Sequence, residues 1–418
     1  MRIAYVVHQY PPEHIGGTEV YTASLARCLA EQGHDVHVFY PLRTRQGDEP
    51  THMVREGAHL WRIVLPPRPA NPWAQFWQSL RNRAVERAFS AFLKAVQPEI
   101  VHFQHLQNVS VRLPLLAQPR PQLLTLHDYW YLCPNGQLIL PNHTLCEGPP
   151  HPRRCAQCAL ARLPRAPRAL TPFLAPLMAW RNVYVKRSTV PIDLFLTPSD
   201  FARQVYIENG WPAERVRVFA LGLDPSRLAA RTPTSRGPSR LHVGYLGAIA
   251  WQKGVHILIE AFASLPHDAT LTIYGDLSVF PDYAASLRQA AARHPGIRFA
   301  GPAPHEAIGD ILRQFDYLVV PSLWRETFGM VVQEAEAVGT PVIASRIGAL
   351  QRVQDGLSGR LFEPGDTQGL ARILRDVYDH PEKRALYRAH LTAGPLLADQ
   401  AQRLVEIYQA LIERRPRP

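Results

Sequence analysis

The sequence predicts an α/β protein with two doubly wound, Rossmann-like domains, and three observations lead to this fold class. The chain has 418 residues, too many for one ordinary core, because single domains usually hold about 100–200 residues. Hydrophobic residues make up 46% of the chain and charged residues 19%, which is typical of globular proteins. Short apolar runs alternate with helical patterns along both halves, and this alternation indicates parallel sheets covered by helices.

The first half of the chain opens with a strand, a helix and a second strand. Residues 3–7 form an apolar run, residues 18–31 carry apolar side chains at helical spacing, and residues 36–39 form the next apolar run. Such a βαβ unit implies a parallel sheet. Later runs in this half also have the composition of buried strands: residues 100–103, 123–126, 194–197 and 216–219.

The second half repeats the alternation after a polar stretch. Residues 232–240 read Thr-Pro-Thr-Ser-Arg-Gly-Pro-Ser-Arg without periodicity, and we interpret them as a linker. The strands predicted after it are residues 241–246, 270–274, 297–299, 317–320, 342–344 and 359–362, with helices that include 255–264, 283–294 and a final amphipathic helix at 400–413. Two such arrays should each carry their ligand-binding loops at the carboxyl ends of their strands.

The charge of the chain points to anionic partners. Its net charge is +11, from 46 Lys and Arg against 35 Asp and Glu, which suits nucleotide phosphates, acidic lipids or nucleic acid without choosing among them. From Gly148 to Ile192 the sequence contains no Asp or Glu. The basic residues of this stretch are Arg153, Arg154, Arg162, Arg165, Arg168, Arg181, Lys186 and Arg187.

No export signal and no membrane span are predicted. Met1 and Arg2 lead straight into an apolar strand, without the longer apolar region and cleavage site of a signal peptide. A run of about 18 apolar residues, as a membrane span requires, does not occur. We therefore expect a cytoplasmic protein whose five cysteines are reduced or metal-bound.

Two glycine-containing loops each follow a predicted strand and precede a helix. Residues 8–19 include the adjacent Gly16 and Gly17, which let the backbone approach a ligand at a helix N-terminus that favours anions. Residues 247–254 read Gly-Ala-Ile-Ala-Trp-Gln-Lys-Gly, and Lys253 there can reach a diphosphate as a point charge. The alternatives are a plain strand-to-helix turn for the first loop and an ordinary surface lysine for the second.

A third motif carries two carboxylates. Glu326 lies in the loop after the strand at 317–320, and Glu334 falls in the following helix. A buried carboxylate needs hydrogen-bond donors, and a sugar or ribose diol supplies two hydroxyls to one carboxylate. The N–H groups that begin the helix would face the same ligand: those of Phe328, Gly329 and Met330. The alternative is an exposed loop acid followed by an acid on a helix surface.

Together these motifs resemble a retaining nucleotide-sugar glycosyltransferase of family 4, whose fold is the two-domain GT-B fold. The resemblance covers nearly the whole chain, and its most specific element is the E-x7-E pair Glu326 and Glu334 with Phe-Gly after the first Glu. The Y-P-P-x-x-x-G-G-x-E loop, the Thr-Leu-His-Asp element that ends at Asp128, and the Lys-Gly-Val segment at Lys253 follow the expected order.

The resemblance implies a division of labour between domains. Residues 1–231 would form the acceptor-side domain, residues 241–395 the nucleotide-sugar-binding domain, and residues 396–418 a helix that crosses back and packs on the N-terminal domain. The nucleotide-sugar would lie between the two domains. The donor is expected to be a UDP-sugar or a GDP-sugar. The motifs do not determine which nucleotide it carries.

The resemblance also assigns roles to residues. Glu326 would contact the donor sugar, aided by the backbone at Phe328 and Gly329. Glu334 would hold the ribose, and Lys253 would neutralise the leaving diphosphate. Gly16 and Gly17 would lie near the β-phosphate or the acceptor. His127 would lie near the reacting anomeric centre, and Asp128 would help to orient His127.

The chemistry implied by the family is transfer with retention and without a catalytic metal. No side chain is an evident covalent nucleophile, so a front-face mechanism is expected, in which the donor phosphate helps to deprotonate the acceptor. The implied acceptor is a glycan or a lipid-linked glycan, in cell-surface polysaccharide or glycolipid biosynthesis. The protein would then work in the cytoplasm, at the inner face of the membrane if it contacts lipid.

Two positions depart from the family pattern. Ala248 stands where many relatives carry an arginine, so Lys253 would lack a second phosphate cation unless Arg325 or another residue substitutes. Residues 348–352 read Gly-Ala-Leu-Gln-Arg, where relatives often show a glutamate. Both departures concern the phosphate end of the site more than the fold.

An insert at residues 129–160 carries a metal-like cysteine pattern. Its thiols could hold a structural zinc tetrahedrally and so order a polar, proline-rich segment. The predicted ligands are Cys133, Cys146, Cys155 and Cys158, with His143 and His151 as alternative ligands. The other interpretation is reduced thiols in a loop, and Cys28 is assigned no role. The insert follows Asp128 and should shape acceptor choice.

Two apolar helical stretches carry arginines. Trp73, Phe76, Trp77 and Leu80 fall at helical spacing, with Arg81, Arg83 and Arg87 nearby, and residues 170–185 form a second stretch. Such faces can lie on an anionic membrane. The alternative is that both helices pack on the N-terminal domain.

The sequence also allows other functions. Within the enzyme class the alternative is a GT-B epimerase or phosphorylase, and we find no lysine motif for pyridoxal phosphate. Outside it, the alternative is a basic protein that binds nucleic acid or a membrane surface without transferase activity. Nucleic-acid binding would require clustered basic and aromatic residues on one platform, whereas this basic stretch is apolar and broken by prolines.

Overall fold

The computed structural model describes residues 1–44, 51–69, 71–148, 151–163, 167–230 and 240–414. The predicted linker therefore lies outside the described residues except for Arg240, as does Arg165 of the basic stretch. The chain divides into two compact units, one formed by residues 1–221 with 397–418 and one by residues 222–396.

The first unit contains an eight-stranded sheet. Its strands are β1 (Arg2–Val6), β2 (Asp35–Arg43), β3 (His52–Arg55), β4 (Ala58–Leu65), β5 (Ile100–Phe103), β6 (Gln122–Thr125), β7 (Leu194–Thr197) and β8 (Val216–Val218). Their order is β3-β4-β2-β1-β5-β6-β7-β8, with every pair parallel except β3 and β4. The sequence did not predict the β3–β4 hairpin, because all four residues of β3 are exposed and carry no burial pattern.

Seven helices of the first unit precede β8 in the chain. They are α1 (Gly17–Glu31), α2 (Pro72–Leu80), α3 (Arg83–Val96), α4 (Leu113–Ala117), α5 (Pro152–Ala161), α6 (Thr171–Ser188) and α7 (Asp200–Glu208). Asn71 and Asn82 cap α2 and α3 through their side-chain oxygens, which satisfies backbone N–H groups that a helix start leaves free. The hydrophobic side of α3 packs against the sheet through Phe89 and Phe92.

The second unit contains a six-stranded, all-parallel sheet. Its strands are β9 (Leu241–Leu246), β10 (Ala269–Tyr274), β11 (Ile297–Gly301), β12 (Tyr317–Val320), β13 (Val342–Ser345) and β14 (Gly359–Phe362), in the order β11-β10-β9-β12-β13-β14. Its helices are α8 (Pro225–Leu228), α9 (Val255–Phe262), α10 (Pro281–Ala291), α11 (Ile308–Gln314), α12 (Met330–Ala337), α13 (Thr367–Asp379) and α14 (Lys383–Arg388). This is the doubly wound pattern predicted for the second half.

The last helix returns to the first unit. The helix α15 (Leu397–Glu413) packs on α1. Its Tyr408 is fully buried, and the Tyr408 hydroxyl hydrogen-bonds with the Tyr5 hydroxyl at 2.8 Å and with His102 Nδ1 at 2.6 Å. These hydrogen bonds give the buried Tyr408 hydroxyl the partners that a polar group in a hydrophobic core requires.

The second unit begins earlier than the predicted domain boundary. A Cβ at Gly309 in α11 would lie 2.6 Å from the Leu228 carbonyl oxygen, so α8 packs directly on α11. Arg313 Nη2 of α11 also donates to the Leu228 carbonyl at 2.5 Å. Because α8 has these neighbours, residues 222–230 belong with the second sheet, whereas the sequence placed them with the first.

Gly254 gives a test of the second unit's packing. Its φ is +70°, and a Cβ there would overlap the carbonyl oxygen of Pro321. Gly254→Ala is therefore expected to lower the free energy of unfolding by more than the about 1–3 kcal/mol that left-handed strain alone costs. Gly356→Ala is the matched control, because Gly356 has φ +78° but open space around it. Urea unfolding of both variants checks this, and equal losses would contradict the overlap.

Candidate functional site

The second unit brings a lysine and a glutamate together at the carboxyl ends of two neighbouring strands. Lys253 follows β9 and Glu326 follows β12, and Lys253 Nζ lies 2.7 Å from Glu326 Oε1, although 73 residues separate them in the chain. The Ser322 hydroxyl donates to the same Oε1 at 2.6 Å, and Lys253 Nζ lies 5.0 Å from the centre of the Trp324 ring. Glu326 is only 6% exposed, so the alternative of an exposed loop acid is wrong.

The backbone around Glu326 is fixed by the loop after β13. Gly348 has φ +59°, and a Cβ there would lie 2.6 Å from both the nitrogen and the oxygen of Glu326. The Ala349 N–H donates to the Glu326 carbonyl at 2.8 Å. The segment that departs from the family pattern therefore supports Glu326 through its backbone, which requires no glutamate side chain.

The start of α12 is fixed by an arginine of the same segment. The Arg352 guanidinium lies 4.8 Å from the centre of the Phe328 ring, and its Nη2 donates to the Gly329 carbonyl at 3.2 Å. Gly329 has φ +75° and precedes the first helical residue, Met330. These contacts hold the backbone whose N–H groups were predicted to face a ligand.

Glu334 is buried in α12 and paired with a cation that the sequence did not single out. Arg227 Nη1 lies 2.6 Å from Glu334 Oε1, and both side chains are largely buried. Burial raises the pKa of Glu334, nearby Arg227 lowers it, and nearby Asp224 raises it. Asp224 caps α8 by accepting from the Ser226 N–H at 3.0 Å. An Asp-Pro helix start was visible in the sequence, but nothing there linked Arg227 to Glu334.

At Ala248, where the resemblance led us to expect a cation, the structure shows hydrogen bonds to the backbone nearby. The Tyr245 hydroxyl donates to the Ala248 carbonyl at 2.7 Å, and the Gly247 N–H donates to the Tyr274 carbonyl at 3.1 Å. The cation beside Glu334 is Arg227, whose Nε is buried and has no hydrogen-bond partner among the described residues.

The first unit assembles a second polar cluster, also at carboxyl ends of neighbouring strands. His8 follows β1, His105 follows β5, and Asp128 follows β6. His8 Nε2 lies 3.2 Å from Glu19 Oε1, His105 Nε2 lies 3.1 Å from Asp128 Oδ1, and the two imidazole rings are 4.4 Å apart. We name His8, Glu19, His105 and Asp128 the histidine–carboxylate array. Neither histidine was predicted as a site residue, although His8 directly follows a predicted strand and His105 lies two residues after another.

Glu19 explains the glycine before α1. A Cβ at Gly16 would overlap Glu19 Oε2, because the carboxylate folds back over the start of α1. Burial raises the pKa of Glu19, while burial lowers that of His8. The space beside Gly16, expected to admit a phosphate or the acceptor, is thus occupied by a carboxylate of the chain itself, and Gly17 begins the helix.

His127 lies next to this array but is held separately. Its Nε2 is 2.7 Å from Gln104 Oε1, and burial lowers the pKa of His127 to about 3, with nearby His105 adding to the effect. The imidazole is therefore neutral near pH 7 and suited to hydrogen bonding more than to proton exchange. Asp128 also accepts from the Trp130 N–H at 2.8 Å, which orders the start of the insert.

Among the described residues, the four cysteines of the insert form no disulfide. Burial raises the pKa of Cys155 to about 11 and also raises that of Cys133. In the described ranges no group of three or more His, Cys, Asp or Glu side chains is arranged to hold a metal ion. The zinc at Cys133, Cys146, Cys155 and Cys158 stays a prediction.

Both apolar, arginine-bearing stretches form helices of the first unit. Trp73 and Phe76 of α2 pack against a small core that α5 and α6 share, while Trp77 of α2 and Trp180 of α6 remain exposed with ring centres 5.7 Å apart. The helices therefore pack on the domain and also keep an apolar outer side. Across the part of the chain that the structure describes, no helix combines the length and the apolar character needed to cross a bilayer.

The sequence of this chain matches two protein-family models. The model described as "Glycosyltransferase Family 4" matches residues 15–227, and that described as "Glycosyl transferases group 1" matches residues 240–380. Glycogen synthase of Mycobacterium tuberculosis is 28% identical over 445 aligned positions, which cover 100% of this chain and 97% of that protein.

Solved structures share the fold. Sucrose-phosphate synthase from Thermosynechococcus elongatus superposes with a TM-score of 0.69 at 20% identity, covering 99% of each chain. HepE from Anabaena, solved with UDP and glucose, gives a TM-score of 0.66 at 19% identity and covers 98% of this chain and 100% of its own. These likenesses confirm the predicted fold class.

Proposed function

Because this chain belongs to glycosyltransferase family 4, and is thus a glycosyltransferase with the GT-B fold, we propose that it moves a sugar from a nucleotide-sugar to a glycan or lipid-linked glycan with retention. The observation that carries the proposal is the pair of buried glutamates after β12, one beside Lys253 and one beside Arg227. Buried carboxylates with neighbouring cations match a ligand that has both hydroxyls and phosphates.

The donor contacts follow from this arrangement. Glu326 accepts hydrogen bonds from sugar hydroxyls, Glu334 accepts them from the ribose, and the Lys253 ammonium neutralises the diphosphate. HepE was also solved with UDP-glucose, which favours UDP over GDP as the nucleotide of this chain's donor. The N–H groups at Phe328, Gly329 and Met330 complete the contacts to the donor.

The proposed transfer step breaks one bond and forms one. The bond between the anomeric carbon and the diphosphate oxygen breaks, and the acceptor oxygen bonds to that carbon from the same face. The acceptor proton passes to an oxygen of the leaving diphosphate, whose charge Lys253 stabilises. Neutral His127 hydrogen-bonds near the reacting carbon, without taking the proton.

The acceptor side is assigned to the histidine–carboxylate array. Its carboxylates and imidazoles offer several acceptors and donors in a small volume, as recognition of a sugar with many hydroxyls requires. The array lies at the carboxyl ends of β1, β5 and β6, where open α/β sheets place their ligands.

A donor screen tests the proposal. UDP-, GDP-, ADP- and CMP-sugars are compared by thermal unfolding, and a true donor at 100 times its dissociation constant should add about 2.7 kcal/mol of stability. Glu334→Ala should remove most of that stabilisation. Glu363→Ala is the control, because Glu363 is an exposed glutamate of the same unit that pairs with Arg346. No stabilisation by any donor, or an unchanged response of Glu334→Ala, would contradict the site.

Contact with an anionic membrane is part of the proposal, and α6 is the observation that favours it. Phe173, 80% exposed, is followed on the same side of the helix by the exposed Trp180 and Val183, and Lys186 and Arg187 lie at the helix end. Aromatic and basic side chains on one helix side are typical of an interfacial helix.

Phe173→Ser tests this contact. Burying a Phe side chain contributes about 1.5–3 kcal/mol of binding free energy. Its loss should therefore weaken binding to phosphatidylglycerol vesicles about tenfold or more. Leu386→Ser is the control, because Leu386 is an exposed apolar residue of the second unit. Co-sedimentation with vesicles measures the effect, and equal binding of both variants would refute the contact.

A further inference from the structure

A cavity of about 240 Å³ lies in the first unit beside the histidine–carboxylate array. Most of its lining is apolar, with Trp73, Phe76, Trp130, Leu163 and Met178 among the lining residues. None of these residues belongs to the proposed donor contacts.

One end of the cavity adjoins the array. Trp130 lies two residues after Asp128, and its ring centre is 6.0 Å from that of His105. Gln107, which also lines the cavity, donates its N–H to His105 Nδ1 at 3.1 Å. A molecule with a sugar at the array could therefore place its next group in the cavity.

Side chains of α2 and α6 line another part of the cavity. Phe76 and Met178 line the cavity from these two helices, and Trp77 and Trp180 of the same helices are exposed. On α6, Met178 belongs to the buried side of the helix, together with Leu174, whereas Trp180 lies on the exposed side. The cavity therefore adjoins the polar array at Trp130 and is lined by apolar side chains from the inner sides of these helices.

A buried cation lies in the cavity wall. Arg181 is 1% exposed, its guanidinium lies 5.3 Å from the centre of the Trp130 ring, and its hydrogen bonds go to carbonyl oxygens of Trp130 and Tyr131 and to the Asn182 side chain. Burial lowers the pKa of Arg181 to about 10, which leaves it charged near pH 7. No carboxylate among the described residues forms an ion pair with Arg181, and buried charges are ordinarily paired with an opposite charge.

A second arginine of the cavity wall is exposed. Arg162 lines the cavity, and its Nη2 donates to the Ile139 carbonyl at 2.7 Å. Since the stretch from Gly148 to Ile192 contains no Asp or Glu, the positive charge here is not neutralised by neighbouring residues of the chain sequence. The ligand that complements this wall carries an anionic group and an apolar chain.

We propose that this cavity binds the phosphate and the adjoining hydrocarbon chain of a phosphate-linked lipid acceptor, with the acceptor's sugar at the histidine–carboxylate array. The features match the groups of such a molecule: a hydroxyl-binding array, arginines in the adjoining wall, and an apolar lining. The acceptor role rests on the proposed glycosyltransferase function, whereas the binding of an anionic amphiphile does not.

The test uses simple amphiphiles with the full-length protein. Decyl phosphate, butyl phosphate and decyl glucoside, each below its critical micelle concentration, are titrated by calorimetry. The proposal expects decyl phosphate to bind at least tenfold more tightly than butyl phosphate, which lacks the long chain, and than decyl glucoside, which lacks the phosphate. Comparable binding of decyl and butyl phosphate, or of decyl phosphate and decyl glucoside, would overturn it.

A matched pair of variants on α5 locates the site. Ala159 lines the cavity and Ala161 of the same helix is exposed and does not, so Ala159→Phe fills the cavity while Ala161→Phe does not. Ala159→Phe should weaken decyl phosphate binding at least tenfold, and Ala161→Phe should leave it within twofold of wild type. Equal affinities of the two variants would overturn the assignment.

The arginine contribution is tested on exposed side chains, so that folding is preserved. Arg162→Gln should weaken decyl phosphate binding about tenfold and leave decyl glucoside binding unchanged, whereas Arg168→Gln, outside the cavity wall, should change neither. Equal effects of the two substitutions would overturn the phosphate assignment.

Donor binding separates this proposal from the proposed function. Ala159→Phe should retain the stabilisation by the nucleotide-sugar found for wild type, and its loss would overturn a separate chain site. If no nucleotide-sugar stabilises wild type while decyl phosphate binds as expected, the transferase proposal and the acceptor role fail, and the amphiphile site stands.

Discussion

Replacing Glu326 with glutamine is expected to lower the rate of sugar transfer about 10²–10³-fold, the usual effect of removing one group that stabilises a transition state. The carboxylate receives the Lys253 ammonium and the Ser322 hydroxyl on one oxygen, Oε1, which fixes its orientation. The neutral amide keeps the shape but loses the ion pair and presents a donor group to a sugar hydroxyl. Steady-state transfer or donor hydrolysis measures the change.

The same substitution at a surface position provides the control. Glu363→Gln removes an exposed carboxylate of the same unit and should leave the rate within twofold of wild type. Thermal unfolding of both variants checks that the fold is retained. A rate for Glu326→Gln close to that of Glu363→Gln would remove Glu326 from the proposed site.

Replacing Arg227 with methionine is expected to lower the free energy of unfolding of the second unit by about 3–5 kcal/mol, since it leaves a buried carboxylate without its counter-ion. The affected carboxylate is that of Glu334, 6% exposed and 2.6 Å from Arg227. Urea unfolding measures the loss. The double variant Arg227→Met with Glu334→Gln removes the buried charge as well and should recover most of the stability.

The pH dependence of this variant has a definite sign. Burial raises the pKa of Glu334 above its ordinary value of 4.5, so the folded unit binds this proton more tightly than the unfolded chain does. Stability from this group therefore falls as pH rises above about 4.5. The charged groups facing Glu334 are Arg227, which lowers the pKa, and Asp224, which raises it. Because Arg227 lowers the pKa of Glu334, its removal should extend the decrease in stability to higher pH.

The comparison with wild type isolates Glu334 from other titrating groups. Between pH 5 and 8, the stability of Arg227→Met should decrease relative to wild type, whereas the double variant with Glu334→Gln should run parallel to wild type. A constant difference across this range would show that Arg227 stabilises the unit by packing alone.

Much of the fold was predictable because buried parallel strands leave a strong signal in sequence. The strand β12 was predicted with its observed bounds, since its apolar run is flanked by loop residues, and β9 likewise. The hairpin strand β3 was missed because exposed residues carry no such pattern. Helix ends differed by a few residues: α9 ends at Phe262 and not at 264, because helical periodicity does not mark the last turn.

The sequence by itself determined the family, the two α/β arrays and the pair Glu326 and Glu334, because motif order and strand periodicity are properties of the chain. Tertiary structure alone decided that both glutamates are buried, that Arg227 pairs with Glu334, and that His8 and His105 meet two carboxylates. The physical reason is that parallel sheets collect the ends of strands distant in the chain, and spacing along a sequence does not report which ends become neighbours.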